Sequence, residues 1–187
     1  MKLNLGCGYD KREGFINLDS FKSCEPDILH DIEDTPWPFD DDSFNEILIK
    51  HVLEHIGETF NIFRNVMREI YRVSQDKASI HIHVPNYKHV SYWADPTHVR
   101  AFDEVTFIMM SKKNNDRWIK NKSNYTMLAY LMDVNFELIS SKYIPSKEAL
   151  EMSKSIKKEN KGKYILDKNI NEWNVIREMQ FILKVIK

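Results

Sequence analysis

Short apolar runs along the chain alternate with connections that are too long for β-hairpins. These runs predict seven strands, at residues 2–6, 15–19, 26–31, 44–50, 78–84, 135–141 and 176–186. Because long crossovers join parallel neighbours, the spacing predicts a mostly parallel sheet covered by helices. Right-handed crossovers then give an α/β, doubly wound fold, which binds its ligand at the carboxyl ends of the strands.

The segments between these strands predict helices and loops. Apolar side chains in residues 52–74 recur at close to the 3.6-residue period of a helix. Asp103 or Glu104 would suit the N-terminal end of a later helix, because a carboxylate there complements the helix dipole. Three shorter helices and two loops are expected, the helices at 102–110, 125–133 and 146–160 and the loops at 87–101 and 112–124.

Length and composition favour one globular domain. The 187 residues are 42% hydrophobic and 29% charged, which suffices for a single core. Cys7 and Cys24 are the only cysteines, so a disulfide framework or a paired-cysteine zinc motif is not expected. No apolar run approaches the ~20 residues that span a bilayer, and the chain does not begin like a signal peptide. We therefore expect a cytoplasmic protein that does not enter a membrane.

The charges are unevenly distributed. The net charge of the chain is −1, but acidic residues predominate in residues 1–110 and basic residues in residues 111–187. The overall balance gives no reason to expect binding to nucleic acid. An acidic N-terminal half would suit a cationic ligand, and long solvated faces in the C-terminal half explain the asymmetry as well.

A glycine-containing turn directly follows the first strand. Gly6 and Gly8 would let the backbone bend sharply and let a ligand approach closely. A dinucleotide fingerprint needs a third glycine at position 11, which is Lys11, so a pyrophosphate ligand is disfavoured. Asp19 ends the second strand, where a carboxylate can accept hydrogen bonds from both ribose hydroxyls of an adenosine ligand. An ordinary tight turn and a helix N-cap are the structural alternatives for these residues.

Three runs of sequence together resemble the motifs of class I S-adenosylmethionine-dependent methyltransferases, in particular small bacterial and viral members. The runs are LNLGCG at 3–8, GFINLD at 14–19 and PDILHDIEDTPWPFDDDSFNEILIKHVLEHI at 26–56. The resemblance implies a Rossmann-like, seven-stranded sheet with an antiparallel last strand and S-adenosyl-L-methionine as the cofactor. It also implies one methyltransferase domain over 1–187, with the cofactor-binding half at 1–86 and the substrate side at 87–187.

The resemblance implies a role for each matching residue. The turn after the first strand would line the methionine and ribose parts of the cofactor, and Asp19 with Ser20 would bind the ribose hydroxyls. Asp31 and Ile32 would meet the adenine edge. The full set of implied cofactor-binding residues is Asn4, Leu5, Gly6, Cys7, Gly8, Asp19, Ser20, Asp31, Ile32, Lys50 and His51, of which the last two would flank the methionine moiety near the transferable methyl.

The chain departs from the family pattern in three ways. Only ten residues separate Gly8 from Asp19, which is too few for a full helix, and the family's third glycine is Asp10 here. The N-terminal helices that often cap the cofactor are also missing. We therefore expect an open cofactor site that is closed by a mobile loop or by the partner subunit of a homodimer.

Several histidines could serve chemistry or structure. His51 and His55 are four residues apart at the start of the predicted helix, a spacing that zinc sites use. Glu54 does not occupy the position that the glutamate has in the HExxH zinc motif, and no motif places a further Cys or His ligand nearby. The sequence therefore predicts no metal site. His55 is expected to pack near the site. His81 and His83 share one face of a strand and are expected to be structural.

The run WADPTHVR at 93–100 places an acid, a histidine and an arginine in one loop. It resembles a D-P-T-H-V-R run of methyltransferases that are associated with sugar and polysaccharide methylation. We therefore expect O-methylation of a sugar or polysaccharide precursor. His98 would be the general base and Asp95 would orient it, while Arg100 or Lys50 contacts the acceptor. The structural alternative is a loop held by an Asp95–Arg100 pair.

Other acceptors remain open. One alternative is an N-methyltransferase for a small amine or protein side chain, which depends less on a general base to remove a proton. Another is a module that only binds S-adenosylmethionine, which would keep the same cofactor residues. Methylation of nucleic-acid bases is disfavoured, because residues 85–86 are Pro-Asn rather than part of an (Asp/Asn)-Pro-Pro-aromatic motif. We expect a small-molecule acceptor and no nucleic-acid partner.

Overall fold

A computed structural model describes residues 1–187, and seven strands form one sheet in the order β3-β2-β1-β4-β5-β7-β6. The strands are β1 (Lys2–Leu5), β2 (Ile16–Asp19), β3 (Ile28–Leu29), β4 (Phe44–Lys50), β5 (Ser74–Pro85), β6 (Phe136–Pro145) and β7 (Ile176–Val185). Strands β1 to β5 pair in parallel, whereas β7 runs antiparallel to both β5 and β6. The predicted Rossmann-like sheet with an antiparallel last strand is confirmed.

Seven helices accompany the sheet. They are α1 (Phe60–Val73), α2 (Val90–Ala94), α3 (Glu104–Ile108), α4 (Lys112–Lys120), α5 (Leu128–Met132), α6 (Lys147–Met152) and α7 (Lys158–Asn171). None of them is both long and apolar enough to span a membrane. Helix α3 begins with a capping box, in which the Asp103 side chain accepts from the Val105 N–H and the Thr106 hydroxyl accepts from the Asp103 N–H.

The centre of the sheet forms the core. Leu3 and Leu5 of β1 and Ile47 and Ile49 of β4 are fully buried, as expected for strands of a parallel sheet. Helix α1 adds a buried stripe at helical spacing, formed by Phe63, Val66, Met67, Ile70 and Val73. The apolar pattern that predicted this helix is therefore its core-facing side.

The helix predicted over 52–74 starts later in the structure than the apolar spacing predicted. A short 3₁₀ turn, Leu53–His55, follows β4, and α1 starts at Phe60 after Thr59. The interruption is at Gly57, which has a φ of 79°, and a Cβ there would lie 2.6 Å from that of Phe63. The apolar residues before Gly57 are buried in the core without being helical.

Several other boundaries differ from the prediction. The predicted loop at 112–124 contains α4, whose only buried residues are Asn115 and Trp118, so the helix carries almost no apolar pattern. The predicted helix at 146–160 is two helices, α6 and α7, because α6 ends at the fully buried Ser153. Helix α2 lies within the predicted loop at 87–101, and α7 extends beyond the predicted segment.

Candidate functional site

The chain turns sharply at the carboxyl end of β1. Gly6 has a φ of 65°, and a Cβ there would clash with Cγ2 of Val52, so glycine is strongly favoured at this position. Gly8 has a φ of 49° with open space around it, and its N–H donates to Oδ2 of Asp19 at 2.7 Å. The Phe21 N–H donates to Oδ1 of Asp19 at 2.8 Å. Two backbone N–H groups thus fix the Asp19 carboxylate beside the turn.

A cleft of about 330 Å³ lies at the carboxyl ends of β1, β2 and β4. Seven predicted cofactor residues line it, namely Gly6, Gly8, Asp19, Ser20, Asp31, Ile32 and His51. Val52, His55 and Ile56, which no sequence motif assigned to the cofactor, line it as well. A larger cleft, of about 530 Å³, lies beside α1 and is lined mainly by polar and charged residues. We favour the smaller cleft because the strand ends, the glycine turn and the fixed carboxylate meet there.

Four predicted cofactor residues lie outside this lining. Leu5 is fully buried, and Asn4 is buried with its amide donating to Oδ1 of Asn17 at 3.0 Å. Burial raises the pKa of the Cys7 thiol to about 11, so the thiol is neutral at physiological pH. Lys50 pairs with Asp10 at 2.9 Å at the end of β4.

The side of the cleft formed by Asp31 and Ile32 is a short loop held by hydrogen bonds. Oδ1 of Asp31 accepts from the Glu33 N–H at 2.9 Å, and the carbonyl of Ile32 accepts from Nε1 of Trp37 at 2.9 Å. Oε1 of Glu33 accepts from the Gly57 N–H at 2.8 Å, which ties this loop to the turn after β4. Trp37 itself is buried in the core, so it anchors the loop there.

His51 lies at the other end of the cleft in a strained conformation. Its φ is 54°, unusual for a residue with a side chain, and such strain concentrates at functional sites. Nε2 lies 3.0 Å from Oε2 of Glu178, and Nδ1 lies 3.4 Å from Oε1 of Glu54. The hydrogen bond with Glu178 raises the pKa of His51 to about 9, and the same bond holds the pKa of Glu178 at about 2. His51 is therefore an imidazolium at neutral pH and not a general base.

The predicted catalytic loop at 93–100 docks onto the turn after β4. The backbone N–H groups of Val99 and Arg100 both donate to the carbonyl of Glu54, at 2.9 and 3.2 Å. Nη2 of Arg100 donates to the carbonyl of Gly57 at 2.9 Å, and its guanidinium lies over the ring of Phe63. Arg100 thus fastens the loop, and it forms no ion pair with Asp95.

His98 and His55 lie side by side where this loop meets the cleft. Their ring centroids are 4.6 Å apart, with the rings inclined at 66°. Nδ1 of His98 donates to the carbonyl of Tyr92 at 2.7 Å, and Nδ1 of His55 bonds the Thr97 hydroxyl at 2.8 Å. Asp95 was expected to orient His98, but its Oδ2 lies 4.0 Å from Nε2 of that ring. The Tyr92 carbonyl orients His98, and Asp95 accepts from Thr97 instead.

No protein-family model matches the chain, and no curated protein matches it. Solved structures do share its fold. A S-adenosylmethionine-dependent methyltransferase from Archaeoglobus fulgidus is 17% identical, with a TM-score of 0.55 over 98% of this chain and 85% of that chain. A 1,6-didemethyltoxoflavin-N1-methyltransferase from Burkholderia thailandensis, solved with S-adenosylhomocysteine, is 9% identical, with a TM-score of 0.54 over 100% and 71%. The 4+2 cyclase SpnF is 13% identical, with a TM-score of 0.56 over 99% and 75%.

At these identities the likeness establishes the fold. The chain has the Rossmann-like fold that S-adenosylmethionine-dependent methyltransferases use, and a cyclase uses the same fold. Function must therefore be argued from the cleft and its residues.

Proposed function

We propose that the chain is a S-adenosylmethionine-dependent methyltransferase that methylates a small molecule. The observation that carries the proposal is the Asp19 carboxylate, fixed by two N–H donors beside a turn that favours glycine. A carboxylate at this place suits the two hydroxyls of an adenosine ribose. The cleft volume of about 330 Å³ lies within the range of small-ligand sites.

Different residues of the cleft would bind the ribose, the adenine and the methionine part of S-adenosyl-L-methionine. Asp19 and Ser20 would bind the ribose hydroxyls, and Asp31 with Ile32 would meet the adenine. The methionine end would lie toward His51, with Lys50 nearby at the end of β4. The bound cofactor supplies a methyl group on a sulfonium, which is an activated leaving group, so the protein has mainly to position the acceptor.

We further propose that the acceptor is a hydroxyl group, as in a sugar or polysaccharide precursor. The acceptor would lie near His55, which lines the cleft, and His98, which contacts His55. The acceptor oxygen forms its bond to the methyl carbon as the carbon–sulfur bond breaks, and sulfur keeps the electron pair. In this scheme Nε2 of His98 accepts the hydroxyl proton, because Nδ1 is committed to the Tyr92 carbonyl. Arg100 holds the loop in place.

A transfer assay tests this function. Purified protein is incubated with S-adenosyl-L-methionine and panels of sugars, nucleotide sugars and amines, and S-adenosylhomocysteine and the methylated product are measured by mass spectrometry. The proposal expects turnover on a hydroxyl acceptor and its loss in His98→Gln with cofactor binding intact. Full activity of His98→Gln would remove this residue from the mechanism.

N-methylation is the second candidate. The Burkholderia protein of the same fold is by name an N-methyltransferase, and an amine needs less help in losing its proton. Turnover confined to the amine panel would establish this candidate. Cofactor binding without any product would instead indicate a module that senses or carries the cofactor.

A further inference from the structure

Three side chains with metal-binding atoms meet beside the cleft. Glu54 and His55 belong to the 3₁₀ turn after β4, and His98 comes from the loop after α2. One ligand atom from each, a carboxylate oxygen and two ring nitrogens, lies within 4.8 Å of the others. The hydrogen bonds from Val99 and Arg100 to the Glu54 carbonyl bring the distant loop to this turn.

Glu54 has one buried carboxylate oxygen without a partner, although the His51 ring lies beside the other oxygen. Its side chain is only 1% exposed. Oε1 lies 3.4 Å from Nδ1 of His51, whereas Oε2 is buried with no hydrogen-bond partner. Burying an unpartnered carboxylate oxygen is unfavourable, and a cation bound to it would remove that penalty.

Nδ1 of each imidazole is held by a hydrogen bond, which leaves Nε2 free to bind a metal. The Thr97 hydroxyl donates to Oδ1 of Asp95 at 2.6 Å, so toward His55 it accepts, and Nδ1 of His55 carries the proton. Nδ1 of His98 likewise donates to the Tyr92 carbonyl. These assignments follow from the hydrogen-bond network, and they leave a lone pair on Nε2 of each ring. Protein metal sites orient their histidines in the same way, through a hydrogen bond from the other ring nitrogen.

We propose that Glu54, His55 and His98 bind a divalent transition-metal ion of the zinc type beside the cleft. Two imidazoles and one carboxylate suit such an ion, and three protein ligands leave a position open for a further ligand. Bonds of about 2.0–2.2 Å place tetrahedral ligand atoms about 3.3–3.6 Å apart. The three ligand atoms lie within 4.8 Å of one another, so the Glu54 side chain and the two rings would shift inward by about an ångström when the ion binds. Magnesium and calcium, which prefer oxygen ligands, would bind poorly.

The ion would change the role of His98. If the chain transfers methyl groups to hydroxyls as proposed above, an ion at this place would bind the acceptor oxygen and lower its pKa, and the proton would pass to solvent. His98 would then be a metal ligand rather than the general base. Metal binding itself does not depend on the proposed methyl transfer, so the two can fail separately.

Calorimetric titration of Zn²⁺ into chelator-treated protein tests the site, with Co²⁺ absorption as a second signal of histidine ligation. We expect one equivalent of Zn²⁺ to bind the wild type and no binding of Mg²⁺. Glu54→Gln, His55→Ala and His98→Ala should each weaken Zn²⁺ binding at least tenfold. His30→Ala, which removes a half-buried histidine outside this cluster, is the matched control and should bind Zn²⁺ as the wild type does.

The outcomes separate clearly. Wild-type affinity in both Glu54→Gln and His98→Ala, or no Zn²⁺ binding by the wild type, would overturn the site. His98→Gln replaces His98→Ala if circular dichroism shows that the alanine variant is unfolded. A titration of S-adenosyl-L-methionine into the same samples tests the proposed cofactor site independently. Variants that lose Zn²⁺ binding but still bind the cofactor would support the metal site, and their cofactor binding would show that they are folded.

Discussion

Single residues decide whether the turn after β1 can form. Gly6 and Gly8 both have positive φ values, but only Gly6 is also enclosed, by the side chain of Val52. Sequence reasoning found both glycines from their place after a strand. The motifs also predict that the residues after β4 lie near this turn, but they do not single out Val52, because a side-chain contact with one glycine leaves no pattern in the sequence.

Gly6→Ala should therefore be more harmful than Gly8→Ala. Each variant meets the strain of a left-handed backbone, about 1–2 kcal/mol, and at Gly6 the added Cβ also clashes with the Val52 side chain. We expect Gly6→Ala to lower the free energy of unfolding by about 2–4 kcal/mol and Gly8→Ala by about 1 kcal/mol. Urea denaturation measures both. Equal losses would show that Val52 moves aside freely.

A second residue-scale prediction concerns the buried carboxylate of Glu69. It accepts from the Trp37 N–H at 2.7 Å and from Nη2 of Arg72 at 2.7 Å. Burial raises the pKa of Glu69, but the hydrogen bonds from Arg72 and Trp37 outweigh it and leave the pKa below its ordinary value. A lowered pKa means that the stabilisation is complete above the ordinary carboxyl range and is lost as the pH falls through the folded-state value.

Glu69→Gln should thus destabilise the protein by about 1.5–3 kcal/mol at neutral pH. The difference from the wild type should shrink as the pH is lowered below 4.5, the ordinary pKa of the group. Unfolding curves for both proteins at pH 7 and pH 4 check this. A difference that grows toward low pH would contradict the sign of the shift.

At the scale of elements, the sequence predicted those strands and helices whose buried side chains repeat at a regular spacing. The central strands and the buried stripe of α1 follow directly from apolar spacing. Helix α4 left no such trace, since it buries only Asn115 and Trp118 and carries lysines elsewhere. Ser111 caps the N-terminal end of α4 by accepting from the Asn114 N–H. A serine alone does not predict a helix, because serine is common in loops as well.

A prediction at this scale concerns the N-terminal cap of the short helix α3. Asp103 accepts from the Val105 N–H at 2.9 Å and completes a capping box with Thr106. Asp103→Ala should lower the free energy of unfolding by about 1 kcal/mol, because a helix N–H loses its partner. Thermal unfolding followed by circular dichroism measures the change. Asp103→Asn, which keeps a capping oxygen, is the control and should stay close to the wild type.

At the scale of the whole molecule, the fold brings distant residues to one edge of the sheet. The sequence motifs located Gly6, Asp19 and Asp31 in one cleft because strand ends of a parallel sheet meet. The sequence did not predict that the 93–100 loop would hydrogen-bond to the turn after β4. It therefore did not predict the contact between His55 and His98 either. Those contacts depend on tertiary hydrogen bonds to a backbone carbonyl, which leave no pattern in the sequence.

Ligand binding should stabilise the whole fold. A ligand that binds only the native state adds about 2.7 kcal/mol of stability at a concentration of 100 Kd. We therefore expect S-adenosyl-L-methionine and S-adenosylhomocysteine to raise the Tm of the protein in a concentration-dependent way. Adenosine monophosphate, which lacks the methionine part, should raise it less. A Tm that does not respond to either compound would speak against the cleft.

The most direct test of the cofactor site is a calorimetric titration of S-adenosyl-L-methionine into the wild type, Asp19→Asn and Asp40→Asn. Asp40 is an exposed carboxylate that does not line the cleft, so it serves as the matched control. We predict one binding site in the wild type and in Asp40→Asn. Hydrogen bonds to a charged group contribute about 1.5–3 kcal/mol, so Asp19→Asn should bind about 10- to 150-fold more weakly. No binding by the wild type at about 1 mM cofactor, or unchanged affinity in Asp19→Asn, would contradict the account.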